Sequence, residues 1–192
     1  MNLLREYIRE LLTESVDGKI MSMIDRAEQA DYKVKLFSAA NGGSVYLLPP
    51  EGWDSPASAL GAVDWMRPRD YGPCMKAMNV HNSKAEGGFG PLLYDVAIEA
   101  SGGLMADRFT VSGEAADVWW NYMNRRSDVT QQQLDNNENQ LTPDDKDNCD
   151  QNVSIGDAGR DDWPESPLSK VYSKAGTPVI DELRNRGMLI EK

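Results

Sequence analysis

Histidine and cysteine are scarce in this chain. A single histidine, His81, and two cysteines, Cys74 and Cys149, stand among 192 residues. Three such side chains cannot make a standard structural zinc site, which needs four ligands. The cysteines lie far apart in sequence. They can pair as a disulfide, but nothing in the sequence argues for that in a reducing cytosol. Long apolar runs are missing too, and none approaches the roughly 20 residues that span a bilayer. Near the amino terminus Arg5, Glu6, Arg9 and Glu10 interrupt any secretory hydrophobic stretch. These absences predict a soluble protein with no membrane association, intracellular where it is made. Positive charge is also in short supply. Twenty Lys and Arg face 31 Asp and Glu, a formal net charge of −11. Such a surface repels phosphate backbones, which argues against general nucleic-acid binding but leaves room for a local basic patch. No internal repeat is visible.

What is present has the balance of a globular protein, with 40% hydrophobic and 27% charged residues. The length suits one domain with a sizeable core. Hydrophobic spacing predicts an amphipathic helix over 1–14 and a second helix from about Val16 to Ala30. The period then changes. Tyr32–Ala39 and Ser44–Leu48, joined by Asn41-Gly42-Gly43, read as an antiparallel hairpin. Leu60–Met66 is ambiguous between strand and helix. Cys74–His81 reads as a strand and Asn82–Gly88 as a polar loop. Phe89–Ser101 reads as a helix closed by Gly102-Gly103. A short strand over Leu104–Arg108 follows, then a helix capped by Ser112 and running to about Arg126. Residues 128–168 are rich in Asp, Asn and Gln and read as a surface loop or partly ordered arm. A last helix over Pro178–Arg186 and a strand or docked tail over Met188–Ile190 complete the 169–192 segment. Together these elements predict an α/β fold.

The unit with chemical content is the strand ending at His81, the loop Gly87-Gly88-Phe89-Gly90 and the helix behind it. Glycines let main-chain N–H groups point inward where a helix begins, and that helix end carries about half a positive charge. Such a loop suits a phosphate or pyrophosphate, and Pro91 fits the first turn because its missing N–H is not needed there. The bland alternative is a tight strand-to-helix connection. The loop lacks the Gly-Lys-Ser/Thr ending of a Walker motif, and the antiparallel elements before it do not suit a dinucleotide fingerprint. His81 is a candidate general base, since imidazole titrates near neutrality; the alternative is a hydrogen-bonded residue at a strand end. Trp119 and Tyr122, three apart on one helix face, line a substrate or pack in the core. Asp144, Asp145, Asp147 and Asp150 are crowded enough to suggest calcium. They lack an EF-hand's glycine and terminal glutamate, which favours a solvated acidic loop.

The order of these elements resembles the GCN5-related N-acetyltransferase family (GNAT), over roughly Tyr32 to Arg126. The family's motif is Gln/Arg-x-x-Gly-x-Gly/Ala, and Gly88-Phe89-Gly90 matches its last three positions, with Ala85 where Gln or Arg is usual. Ser112-Gly113-Glu114-Ala115-Ala116-Asp117-Val118-Trp119 has the shape of the family's later Asn-x-x-Ala-x-x-Leu-Tyr, with Trp119 in place of the tyrosine. The resemblance implies a GNAT-like core over 15–127, a mixed, mostly antiparallel central sheet flanked by helices. It implies acetyl-CoA as cofactor and an amine acceptor as partner, a host protein being one source of that amine. Met78, Val80, Gly87, Gly88, Phe89 and Gly90 would bind the cofactor, with His81 as base and Tyr122 as the acid for the leaving thiolate.

Residues 1–14 resemble the helical capsid-targeting leaders of internal head proteins of T-even-like tailed bacteriophages, and Leu12-Thr13-Glu14 matches their Leu/Ile-x-Glu cleavage site. This implies contact with a prohead scaffold or protease, packaging in the virion, and otherwise residence in host cytoplasm. Two further readings follow from the residues. One is a virion or host-interaction protein that keeps the fold without catalysis. The other is an acidic mimic that occupies a basic host surface.

Overall fold

A computed structural model of the chain describes residues 16–52, 55–151 and 163–192. The leader expected over 1–14 and part of the 128–168 arm lie outside the described residues. The fold is α/β: among the described residues, four α-helices surround one mixed sheet of eight strands in the order β6-β7-β5-β4-β3-β2-β1-β8.

Helix α1 spans Gly18–Gln29, with the Asp17 carboxylate accepting from the Lys19 and Ile20 main-chain N–H groups, and it buries Ile20, Ile24 and Ala27. Strands β1 (Lys33–Ala39) and β2 (Gly42–Leu48) form the expected hairpin, in register from Lys33↔Leu48 to Ala39↔Gly42. The ambiguous segment is a strand, β3 (Gly61–Met66), antiparallel to β2. Its Ala62, Val63 and Trp65 are buried, the continuous apolar character of an inner strand.

The next strand begins later than its alternating pattern suggested. Cys74, Met75 and Lys76 turn left-handed, with φ of 48°, 52° and 63°, a conformation costing about 1–2 kcal/mol per residue. Cys74 is held there by a disulfide to Cys149 and by its N–H donating to Asn148 O. Strand β4 therefore runs Met78–Ala85, and Asn82–Ala85, expected in a loop, pair with β3. Their polarity has a simple cause: at this end β4 has only one neighbouring strand, so Asn82, Lys84 and Ala85 stay exposed.

Helix α2 (Gly90–Ser101) is the centre of the core. Every residue from Leu92 to Glu99 is buried, and Gly102, at φ 72°, closes the helix as foreseen. Strand β5 is only Leu104–Met105, parallel to β4. Helix α3 (Gly113–Arg125) starts at Ser112, whose hydroxyl accepts from Ala115 N–H. Strands β6 (Thr130–Gln133) and β7 (Lys170–Ser173) pair antiparallel on one flank. Helix α4 (Pro178–Asn185) leads to β8 (Leu189–Glu191), parallel to β1 on the other.

The 128–168 stretch is more structured than its composition suggested. Besides β6, it buries Leu134, Asp135, Cys149 and Trp163. The disulfide and Arg108 supply the order that sparse apolar residues do not. Wholly buried, Arg108 donates to the carbonyls of Cys149, Asp150 and Leu168 at 3.0, 3.2 and 2.9 Å. Burial pushes its pKa down to about 10, with nearby Asp107 and Asp150 pulling the other way.

Two buried carboxylates on α2 tie the carboxy-terminal elements to the core. Asp95 accepts a two-pronged pair from Arg126 (3.1 and 2.7 Å), the Tyr122 hydroxyl at 2.6 Å and Lys174 at 3.1 Å. Glu99 meets Lys174 at 2.8 Å and accepts the Val179 and Ile180 N–H groups. Those two donors open α4, where the Thr177 side chain makes no capping bond, so a residue of α2 caps α4. Among the described residues no helix is long and apolar enough to cross a membrane.

Candidate functional site

The sheet opens in its middle. β4 and β5 pair only at Met78↔Leu104 and Asn79↔Met105. Beyond Met105 the chain leaves β4, because Arg108 anchors it to the 149–150 and 168 carbonyls on the β7 side. β4 runs on for six more residues without a strand on that side. Its remaining neighbour, β3, slips register: Asp64 faces Asn82 while Trp65 faces Val80. His81 is thus the extra residue of a β-bulge, a device that bends a strand and re-aims a side chain.

A groove in two lobes fills the gap. The first, about 610 Å³, is lined by Asn79, Val80, His81, Asp107, Phe109 and Trp119 among others. The second, about 500 Å³, is lined by Lys84, Ala85, Gly88, Gly90, Pro91 and Glu114 among others. Ser83, Tyr94, Ser112 and Ala115 border both, so the lobes adjoin. Each lies in the size range of small-molecule sites.

At the second lobe the main chain is ready for an anion. Gly87 and Gly88 have φ of 59° and 77°, a left-handed pair that glycine adopts without penalty. Phe89 N–H is taken by Glu86 O at 3.3 Å. Among the described residues no protein acceptor meets the N–H of Gly88 or Gly90. No acidic side chain occupies the first turn of α2. The positive end of the helix dipole therefore faces the lobe without a counter-charge of its own.

The junction of the lobes holds Tyr94. Its hydroxyl donates to Ser83 Oγ at 3.0 Å. Burial raises its pKa, the Ser83 bond opposes that, and the charge of Asp107 adds to the rise. The phenol stays protonated at neutral pH and is therefore a proton donor. The Asp107 carboxylate itself accepts from the Phe109 and Thr110 N–H groups at 2.6 and 2.8 Å, shaping the wall opposite β4. Phe109, 69% exposed, stands at the rim.

The residues singled out in the sequence divide between groove and core. His81, Val80, Gly88 and Gly90 line the groove. Met78, Phe89 and Tyr122 are buried in the main core cluster, and neither they nor Gly87 are among the lining residues described. Phe89 packs edge-on against Tyr32 with ring centres 5.8 Å apart. Tyr122 is turned to Asp95, and burial with that carboxylate raises its pKa well above the ordinary value. Trp119 packs in the core, stacking on Tyr172 at 5.2 Å, and one side of it borders the first lobe. Of the crowded aspartates, Asp147 is buried and accepts from Thr142 Oγ1 at 2.6 Å, while Asp144 and Asp145 are exposed. Sequence reasoning missed Tyr94, which reads as one more apolar position of α2. The polar Ser83 eleven residues earlier gives no local clue.

No family model, no curated protein and no solved structure matches the chain.

Proposed function

We propose that this chain is an acyl-CoA-dependent N-acetyltransferase with the GNAT-like architecture that its motifs resemble. The observation that carries the reading is the gap between β4 and β5, with unpartnered Gly88 and Gly90 N–H groups at one end and His81 and Tyr94 further along. A pyrophosphate fits the Gly88–Gly90 end, because those donors and the helix dipole converge there. The open edge of β4 offers main-chain groups to an extended, amide-containing arm. Such an arm would run past Ser83 and Val80 toward His81.

Acetyl-CoA, when bound, supplies a thioester whose carbonyl carbon the acceptor amine attacks, forming C–N as C–S breaks. His81 takes the proton that the attacking nitrogen sheds. Tyr94, kept protonated by burial, delivers a proton to the departing sulfur in the role foreseen for Tyr122. Proton balance closes, since one leaves nitrogen and one reaches sulfur. Ser83 orients the phenol, and the aromatic wall of Trp119 limits water at the junction.

A second reading has its own support. Trp119 stands where the family motif carries tyrosine, and Tyr122 is committed to Asp95. A chain that binds acyl-CoA without turning it over fits those two facts, and so does a host-interaction role. Calorimetric titration with acetyl-CoA, followed by thiol-release assays against a panel of amines, separates the readings. The enzyme releases thiol with an amine present, the binding protein only takes up cofactor, and a chain that does neither overturns both of these and leaves the host-interaction role.

A further inference from the structure

The Gly87–Gly88 peptide has a partner on its far side. Arg26, on the exposed face of α1, donates from Nη2 to Gly87 O at 2.6 Å. Its guanidinium also lies over the Phe89 ring, 4.7 Å from the centroid. Phe89 is in turn buried against Tyr32. Arg26 is thereby held between the carbonyl that it binds and the ring on which it stacks.

In a trans peptide the C=O of one residue and the N–H of the next point in opposite directions. A bond that fixes Gly87 O toward α1 therefore fixes Gly88 N–H away from it. Gly88 borders the second lobe, and its N–H has no acceptor among the described residues. Both residues flanking this peptide are glycines, so no side chain opposes its rotation. The Phe89 N–H to Glu86 O bond closes the turn around this peptide, and among the described residues Arg26 is the side chain that bonds its carbonyl.

We infer that Arg26 is a positioning residue: it locks the Gly87–Gly88 peptide so that the Gly88 N–H is presented to a phosphate group in the groove. The inference rests on the acyl-CoA reading for the identity of that phosphate, and on the peptide geometry for the rest. It also answers the departure at Ala85. Where the family motif has Gln or Arg within the loop, this chain brings a guanidinium from α1 to the loop's outer side.

The test uses the full chain labelled with ¹⁵N-glycine, as wild type, Arg26→Ala, Arg26→Lys and Gly88→Asp, titrated with acetyl-CoA and separately with sodium pyrophosphate. Arg26→Ala is expected to move the Gly88 amide signal before any ligand is added, and to weaken both ligands about tenfold, the effect of losing one hydrogen bond to a charged group. The wild-type to Arg26→Ala affinity ratio stays the same between 0.05 and 0.5 M NaCl, values chosen to span roughly a threefold change in screening length, because a lock acts through the main chain. Arg26→Lys, which keeps charge but loses the planar stack on Phe89, recovers part of the loss. An unmoved Gly88 signal with unchanged affinity overturns the lock, even if Gly88→Asp abolishes binding and so upholds the acyl-CoA reading. A ratio that collapses at high salt also overturns it, in favour of simple charge attraction. If wild type binds pyrophosphate but not acetyl-CoA, the cofactor assignment fails while the lock is still decided by the Arg26 variants. If wild type binds neither, the lock as a phosphate-presenting device is overturned with it.

Discussion

Asn79 pairs with Met105, and that is the last rung joining β4 to β5. The groove depends on what the two strands do next. β5 stops, Arg108 carries its continuation toward Cys149 and Leu168, and β4 proceeds alone past the bulge at His81. The gap is a consequence of where hydrogen-bond partners are supplied.

Blocking that gap should abolish cofactor uptake. Ala115 borders both lobes and is only partly buried. Ala115→Trp is expected to weaken acetyl-CoA binding more than tenfold, roughly the cost of displacing a ligand from a filled pocket, with little change in melting temperature. Calorimetry and thermal denaturation check the two halves.

Tyr94→Phe removes the proposed proton donor but keeps the ring. We expect kcat to fall by about 10²-fold or more with KM for acetyl-CoA nearly unchanged, the scale of general acid catalysis. His81→Ala should lower kcat. Tyr122→Phe should leave kcat within a small factor and cost stability instead, because Asp95 loses a buried donor. Steady-state kinetics with a released-thiol assay distinguishes the three variants.

The Cys74–Cys149 disulfide closes a loop over a sequence separation of 75. Chain-entropy reasoning gives it about 4.5 kcal/mol. Reduction, or the paired Cys74→Ser and Cys149→Ser substitutions, should lower the denaturation midpoint accordingly. It should also raise hydrogen exchange at residues 74 and 150, whose N–H groups donate to Asn148 O and Tyr71 O across this junction. Exchange on α2 should stay slow.

Lys174 provides a pH test. Burial pulls its ammonium down, but Asp95 and Glu99 outweigh burial and hold it above the ordinary 10.5. A lysine raised in the folded state contributes stability that is complete below the unfolded pKa and is lost as pH rises through the folded value. Lys174→Met leaves two buried carboxylates short of a partner and should cost about 3–5 kcal/mol at pH 8. The difference from wild type should shrink as pH climbs beyond 10.5, measured by urea denaturation at stepped alkaline pH.

How much of this was written in the sequence varies by element. The hairpin around Asn41-Gly42-Gly43, the Ser112 cap and the Gly102 terminus are local signals, and each reads correctly. The start of β4 does not, because the left-handed turn at Cys74–Lys76 is imposed by a disulfide to a distant segment and by Asn148. The order of the acidic stretch is hidden for the same reason: it comes from Arg108 and Cys149, not from its own composition. At the groove, Gly88, Gly90, Val80 and His81 were legible because glycine pattern and strand ends are local. Tyr94 and Arg26 were not. One looks like a core aromatic and the other like a solvated helix arginine until the chain brings Ser83 and Gly87 beside them.

The most direct test of the account is the acetyl-CoA affinity of Gly90→Asp, measured beside its melting temperature. A Cβ at position 90 would meet Ala85 Cβ at an ordinary 3.6 Å, and a carboxylate in the first turn of a helix stabilises by about 0.3–1 kcal/mol. The account predicts a variant at least as stable as wild type that has lost acetyl-CoA binding by more than an order of magnitude. A folded Gly90→Asp protein that binds acetyl-CoA as wild type does would contradict it.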